Sequence, residues 1–553
     1  TTNFEDSILI SQNASTGTLD AASNNTGLGD SVFAALTSGD NNVGIGADSL
    51  KGLTTGGANV AVGFAALEAN TTASNNVAVG FTALLANTTG SFNVAVGKDA
   101  LAANTTAAQN TAVGGVSMAS NTTGANNTAL GTSALNANTT ASNNVAVGTN
   151  ALVLNTTGSN NTAVGMQSLD ANTTGTTNTA IGKDSLGANT TGSANTGLGH
   201  NALEANTTAS DNTGVGKNAL RANTTGGENT ALGKDALSAN TTGTNNLSLG
   251  SDTMLANTTG SNNVAVGYGA LQVNSTADDN TAVGDRALFN NTTGAHNSAL
   301  GHDALKANTT GESNVAVGSQ SLDANTTGLN NVAVGRQALD NSTTGSRNVA
   351  VGTNALDANT TADHNTAVGD GALKANTTGA ANIAVGSAAG NLITTGSQNV
   401  ILGGYSGNHQ GLDVRTESDG KAVVSDGAGD IAFHNAVGTA ILAGNVDVTG
   451  DSSSANAFAL ADGAVTGLFG GGNGFSGVFI LNDFTSSGEV AMFITGGGVI
   501  TLVKQTGVNF EVGSSPASGK YGLFMDGTTV KLKSNRGASA SFRLLSLRTR
   551  TGQ

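Results

Sequence analysis

The sequence predicts an all-β chain: a parallel β-solenoid, or β-roll, of 17-residue coils in a homotrimeric fibre, followed by a small C-terminal β-sandwich-like domain. Three observations predict it. Glycine recurs every 17 residues from Gly29 to Gly403, giving 23 coils without insertion or deletion, and so long a register is typical of stacked repeats. The residues before each glycine alternate with the period of two that marks a strand. Aromatic residues become frequent only after the repeats end.

Each coil is predicted to hold two short strands and two turns. The first strand is exemplified by Asn263-Val264-Ala265-Val266-Gly267, in which β-branched residues alternate with a small one. The second is predicted over Leu237–Thr241. The invariant glycines, such as Gly233 and Gly267, are predicted at a sharp turn with positive φ, which glycine adopts without penalty.

Two asparagines of each coil, such as Asn240 and Asn263, are candidate structural ladder residues together with Gly233 and Gly267. Amide side chains stacked at one position of successive coils can hydrogen-bond along the fibre axis. The alternative is that each asparagine caps its own turn, and the two interpretations are compatible.

The first strand is apolar on both faces, with Val264 and Val266 on one side and Ala265 on the other. Because a thin coil has one interior, the opposite face needs a cover. We expect the alanine-lined sides of identical chains to pack together, with three copies as the favoured number.

The predicted domains are an N-terminal cap or virion-attachment segment (1–24), a rod (25–403), a β neck (404–450) and a C-terminal β tip (451–553). Nine of the 16 phenylalanines lie after residue 450, as a compact core requires. Seven strands are predicted in the tip: 478–481, 490–494, 499–503, 508–512, 521–525, 529–532 and 542–547. Asp526-Gly527 is a hairpin turn signal.

The tip carries the candidate receptor-binding residues. From residue 520 onward there are seven basic residues and one acidic residue, whereas residues 1–410 carry 11 basic and 25 acidic ones. A basic tip can steer toward anionic surface glycans, although a solvated strand face or packing between protomers gives the same pattern. The candidates are Asn473, Phe475, Lys531, Lys533 and Arg536.

The repeats resemble known fibrous proteins. Asn178–Ser185, with the sequence Asn-Thr-Ala-Ile-Gly-Lys-Asp-Ser, resembles the head repeats of trimeric autotransporter adhesins, which are trimeric left-handed parallel β-rolls. Coils with Asn-Thr-Thr-Gly turns are also similar to those of bacteriophage tail and appendage fibres. The resemblance covers about residues 25–403 and implies a homotrimer, with virion proteins at one end and a host-surface glycan or protein at the other.

Two departures from the adhesins favour a phage virion fibre over a bacterial surface adhesin. We find no heptad stalk after the rod and no barrel-forming anchor, and Thr1–Asp6 lacks the pattern of a secretory signal. We therefore expect assembly in the cytoplasm and location in the virion, with the bacterial cell surface as the alternative.

The composition and motifs argue against other functions. The net charge of −16 disfavours nucleic-acid binding, and no apolar run approaches a membrane span. No histidine pair has metal-ligand spacing, so no metal, cofactor or catalytic residue is predicted, and the chain is not expected to be an enzyme. A polysaccharide-degrading tailspike is a minor alternative. Ice binding by threonine rows is another, although adjacent threonines should face opposite sides of a strand.

Overall fold

The computed structural model describes residues 22–409, 412–416 and 420–426 in full, and elsewhere the backbone of further strands. It divides into two units, Thr1–Ala380 and Ala381–Gln553. All elements in the described part of the chain are strands. The first unit contains β1 (Ile8–Ile10) and the coil strands β2–β22. In chain order these are Thr26–Leu28, Val43–Ile45, Val60–Val62, Val77–Val79, Val94–Val96, Thr111–Val113, Thr128–Leu130, Val145–Val147, Thr162–Val164, Thr179–Ile181, Thr196–Leu198, Thr213–Val215, Thr230–Leu232, Leu247–Leu249, Val264–Val266, Thr281–Val283, Ser298–Leu300, Val315–Val317, Val332–Val334, Val349–Val351 and Thr366–Val368.

The first unit is a parallel β-solenoid, as predicted. Each three-residue strand pairs in parallel with the equivalent residues of the next coil, for example Val264 with Thr281 and Ala265 with Ala282. The Ile8–Ile10 strand pairs in the same way with the first coil strand. At about 4.8 Å per coil, the 21 coil strands form a column roughly 100 Å long.

The predicted second strand is wrong. Leu237–Thr241 is a series of turns, because Asp235 and Leu237 adopt left-handed φ values of 56° and 52° that bend the chain. Asn245 adds a third left-handed residue before the next strand, with φ 57°. Such conformations are uncommon outside glycine. Each coil is therefore one short strand closed by turns.

The coil glycine has positive φ, as predicted, and a further constraint. Gly267 has φ 125°, and a Cβ built there would lie 2.5 Å from the carbonyl oxygen of Gly284 in the next coil. The invariant residue therefore serves both the turn and the close stacking of successive coils. Glycine at the second turn, such as Gly260, has no positive φ, and alanine replaces it in other coils, for example Ala277.

Two buried columns of asparagine run through the coils. Asn263 Nδ2 lies 3.2 Å from Asn246 Oδ1 of the preceding coil and 2.8 Å from the Ala277 carbonyl. Asn240 Nδ2 donates to Asn223 Oδ1 at 2.8 Å and to the Gly243 carbonyl of its own turn at 3.0 Å. Stacking along the axis and capping of a turn thus occur in the same side chain, which leaves these buried amides well paired.

The second unit begins with two further coil strands and then changes topology. Val400–Leu402 pairs in parallel with Ala422–Ser425 at a separation of 22 residues, so parallel stacking continues one step past Gly403. The next pairings, to Ile431–Ala436 and then to Thr439–Ile441, are antiparallel. In chain order β23–β29 are Ile383–Val385, Val400–Leu402, Asn408–His409, Leu412–Asp413, Ala422–Ser425, Ile431–Ala436 and Thr439–Ile441.

The C-terminal strands form two sheets. In chain order β30–β38 are Asn456–Leu460, Val465–Phe469, Gly477–Asp483, Glu489–Gly496, Val499–Thr506, Phe510–Val512, Lys520–Asp526, Thr529–Asn535 and Ala540–Arg548. One sheet has the order β30-β38-β32-β33-β34 and the other β31-β37-β36-β35. Six of the seven strands predicted in the tip fall within strands of these sheets, and the seventh, 508–512, overlaps Phe510–Val512. The sequence missed the first two, and Asp526 lies opposite Thr529 in the pairing on either side of the predicted hairpin turn.

Candidate interaction surfaces of the rod

An uncovered apolar face runs along the first unit. We call it the aliphatic face. Its two rows are the residues one and three positions before each coil glycine, from Leu28 to Val368 and from Thr26 to Thr366. The first row is Val, Leu or Ile throughout. The second row is Thr or Ser in 11 of its 21 coils and Val or Leu in the other ten, and neither row contains a charged residue. Leu232 is 50% exposed and Leu300 is 51% exposed. The unbroken aliphatic row, with the uncharged row beside it, is far longer than the apolar patches that a soluble monomer usually exposes.

The expectation that alanines face a neighbouring chain is wrong. Ala265 is fully buried inside its own coil, and the flanking Val264 and Val266 are the partly exposed residues. The physical reason is space: the interior is filled by Leu271 of the same coil and by the asparagine columns, leaving room for only a small side chain. The valines point outward, so any lateral contact through this strand uses the aliphatic face.

A threonine face runs along the coils just before the second turn, the one that contains Gly243 or its equivalent. Thr241 is half-buried and its Oγ1 donates to the Thr258 carbonyl of the next coil at 3.0 Å. The adjacent Thr242 is exposed. Exposed threonine occupies this position in 20 successive coils, from Thr55 to Thr378. One hydroxyl row therefore serves the coil stacking and one faces outward.

A shallow polar groove crosses the coils around Arg221. One cavity of about 600 Å³ is lined by Ala188, Asn201, Glu204, Ala205, Arg221 and Ala222. A second cavity of about 300 Å³ shares Arg221 and Ala222 and is completed by Asn218, Asp235, Ser238 and Ala239. We call the two together the Arg221 groove. Polar side chains line it, and four half-buried alanines contribute its apolar surface.

The groups lining the Arg221 groove differ in how well they are paired. Asn218 Nδ2 donates to Asp235 Oδ1 at 2.8 Å, and Lys234 Nζ lies 2.9 Å from Asp235 Oδ2. Burial of Asp235 opposes its ionisation, but the hydrogen bonds from Asn218 and Lys234 and the nearby lysine charges outweigh it and lower its pKa. By contrast, Asn201 Oδ1 is buried without a hydrogen-bond partner.

In a second charged cluster the cations and the carboxylates pair with one another. Arg286 Nη2 donates to Asp303 Oδ2 at 3.2 Å, and Lys306 Nζ lies 3.6 Å from the same oxygen. Arg286 Nε lies 3.1 Å from Asp303 Oδ1, yet both atoms lack a hydrogen bond of acceptable angle. That contact is therefore ionic only. His302 Nδ1 adds a contact at 3.4 Å to Asp303 Oδ2.

Three aspartates stack in consecutive coils at Asp323, Asp340 and Asp357. Asp340 lies between the other two, and burial followed by the charges of Asp323 and Asp357 raises its pKa to about 6. Burial also raises the pKa of Asp323, where Lys306 opposes the shift. This segment of the rod concentrates like charges.

An aromatic pair lies near the N-terminal end of the coils. The rings of Phe64 and Phe81 stack with centroids 5.3 Å apart, and Lys98 Nζ lies 5.9 Å from the Phe81 centroid. Both phenylalanines are about half exposed. They directly follow coil glycines, so they border the aliphatic face in sequence.

The predicted receptor-binding residues all fall in the C-terminal segment 451–553 and not in the coils described above. Asn473, Phe475 and Arg536 lie outside the described residues, and for Lys531 and Lys533 the structure gives only their backbone positions in Thr529–Asn535. Sequence reasoning missed the Arg221 groove. Aligning the charged residues by coil position would have found it, because Glu204 and Arg221 occupy the same position in neighbouring coils.

Two other kinds of site are absent from the parts of the chain that the structure describes. No group of three or more potential ligands there has the arrangement of a metal centre. The same residues include no helix long and apolar enough to cross a bilayer. No protein-family model, curated protein or solved structure matches the chain.

Proposed function

We propose that the chain is a structural fibre protein of a phage virion, a tail or appendage fibre. Three copies associate laterally, the coils act as a spacer, and the C-terminal β domain adsorbs to the host surface. One observation carries the proposal: a long stack of in-register coils leaves one uncharged aliphatic face uncovered along its whole length.

The aliphatic face matches a second copy of the same chain. A strip roughly 100 Å long and about 10 Å wide, the length of three strand residues, has an area on the order of 1,000 Å². Stable interfaces bury about 800 Å² per partner. An identical chain supplies the same apolar row at the same rise per coil, so the contact repeats in every coil. The number three is taken from the resemblance to trimeric heads and fibres.

The host-binding role rests on that resemblance and on the separate C-terminal sheets. Three tips carried on one rod would multiply a weak contact with a surface glycan or protein through avidity. Deleting the gene from the phage tests the role. We expect virions that lack one class of appendage in electron micrographs and adsorb poorly to the host. Unchanged appendages and adsorption, or the protein on bacterial cells free of phage, would contradict it.

Charged substitutions test the lateral contact separately. Changing Leu232, Leu249 and Val266 to aspartate places three carboxylates in adjacent coils of the aliphatic face, where repulsion and desolvation oppose association. We expect monomers by light scattering. The matched control changes Thr242, Thr259 and Thr276 to aspartate. These threonines are exposed in the same coils, so this variant should leave the trimer intact. Equal dissociation in both variants would show that the effect is not specific to this face.

A further inference from the structure

We propose that the Arg221 groove is a binding site for an oligosaccharide along the side of the rod. This inference goes beyond the proposed function, because it places a ligand on the coils and not on the C-terminal domain. It shares no residue with the aliphatic face, so different variants test the two proposals.

The groove is built by the coil geometry. Asn201, Asn218 and Asp235 lie two positions after successive coil glycines, where the left-handed conformation, with φ 57°, 59° and 56°, turns the chain. Glu204 and Arg221 lie three residues further on, after the buried leucine of each coil. Two rows of polar side chains therefore border the groove. Ala205 and Ala222 directly follow Glu204 and Arg221 in the chain, and they line the same cavity in two successive coils.

The groove combines an acidic and a basic group that both have unused hydrogen-bonding capacity. Six other cations of the first unit form ion pairs with aspartate or glutamate, namely Lys51, Lys98, Lys183, Lys234, Arg286 and Lys306. Lys217, Arg336, Arg347 and Lys374 form none among the described residues, but no unpaired carboxylate lines a cavity with them. Among the described residues, neither Arg221 nor Glu204 is in an ion pair or a side-chain hydrogen bond, although both line one cavity. The buried Asn201 Oδ1 in the same cavity is also unpaired. An unpaired buried polar atom is costly, and turning the half-exposed Asn201 amide so that Oδ1 meets a bound donor would remove that cost.

These groups match the chemistry of a sugar. Arg221 offers a fork of donors, whereas Glu204 offers acceptors, joined by Asn201 Oδ1 once its amide turns toward the groove. A chain of vicinal hydroxyls can satisfy both kinds of group at once, and the alanine surface suits the apolar face of a sugar ring. Glu204 and Asp235 would repel a phosphate backbone, which disfavours nucleic acid. With roughly 5 Å per coil, the groove spans the length of a short oligosaccharide.

The test uses the fluorescently labelled full chain on an array of bacterial-surface and plant oligosaccharides, followed by calorimetry with the sugar that binds best. We expect at least one sugar to bind. Arg221→Ala should weaken its binding tenfold or more, the loss typical of one charged hydrogen bond, and Glu204→Gln should weaken it less. The control Lys374→Ala removes an exposed cation at the same coil position elsewhere and should bind like the wild type.

Two outcomes would overturn the proposal. One is an array on which the full chain binds no sugar. The other is sugar binding that Arg221→Ala and Glu204→Gln leave unchanged, which would place the site elsewhere. The Arg221 side chain is exposed, so its removal should not disturb folding, and an unchanged melting curve verifies this. Failure here leaves the fibre proposal standing, because neither appendages nor lateral association depend on the groove.

Discussion

The inward and outward sides of each coil strand differ in how fully their side chains are buried. On the inward side, a small residue such as Ala265 is fully buried, and the asparagine columns beside it are hydrogen-bonded from coil to coil. On the outward side, Val264 and Val266 remain partly exposed in every copy of the pattern. The difference teaches that one chain can complete the interior of the solenoid alone, whereas the outer face is built for contact with another surface.

The largest effect is expected at the coil glycine, which belongs to the interior side. Gly267→Ala forces a residue with Cβ into φ 125° and against the Gly284 carbonyl. We expect a local cost of about 3–5 kcal/mol. Since a stack of repeats need not unfold as one unit, hydrogen exchange of the flanking coils is the measurement.

The matched control is Gly260→Ala at the second turn. A Cβ built at Gly260 would also lie 2.5 Å from a carbonyl oxygen, that of Ala277, but Gly260 has no positive φ. Ala277 already occupies the same position in the next coil, so this turn can shift to accept a Cβ, and the two variants differ in the backbone strain at Gly267. Equal loss of protection in Gly260→Ala and Gly267→Ala would contradict the special role of the coil glycine.

The next largest effect is the difference in stability between losing an inward-facing and an outward-facing leucine. Leu237 is fully buried and Leu232 is 50% exposed. Both variants are made in a chain kept monomeric by Leu249→Asp and Val266→Asp. Leu237→Ala leaves a cavity and should lower the free energy of unfolding by about 2–5 kcal/mol. Leu232→Ala should lower it by less than about 1 kcal/mol. Thermal melting of both variants measures the difference. A larger loss for Leu232→Ala in the monomer would reverse the assignment of inside and outside.

Ser342 offers a way to improve the interior. It stands where other coils have the second asparagine, and its Oγ and Asn325 Oδ1 are both buried without partners. Ser342→Asn should restore the column and stabilise the fold by about 1–2 kcal/mol. Ser342→Ala is the control, because it removes the hydroxyl without giving Asn325 a donor, and should gain less. A lower melting temperature for Ser342→Asn would contradict the column as a stabilising element.

The smallest effect is a pH dependence at Asp340. Its folded pKa of about 6 exceeds the ordinary value of about 3.9, so the folded state holds the proton more tightly than the unfolded state. Stability from this group is therefore greatest below about pH 4 and falls as the pH rises through 6. Asp340→Asn should remove that fall, and its stabilising effect should be present at pH 7 and absent near pH 4. An equal effect at both pH values would rule out the charge as its cause.

Much of the fold could be predicted from the sequence, because the 17-residue period fixes which residues stack. The alternation around Ala265 also showed which side chains share a face. It could not show which face is interior, because alternation alone is symmetric between the two sides. The size of the cavity decides that question, and it depends on Leu271 reaching the interior from a turn.

The false second strand has a related cause. Leu237 has a strand-like neighbourhood in sequence, and a left-handed leucine is unfavourable on local grounds. Coil closure overrides that preference, since burial of the leucine side chain and stacking of the backbone repay the strain. The Arg221 groove could not be predicted from composition, because its members become neighbours only through the stacking of coils.

The solution mass of the full chain tests the central claim most directly, because every part of the fibre proposal requires the aliphatic face to be covered by copies of the chain. Light scattering on the purified chain should give three times 53.8 kDa at every concentration down to the nanomolar range. A stable particle of 53.8 kDa with folded coils would contradict the account.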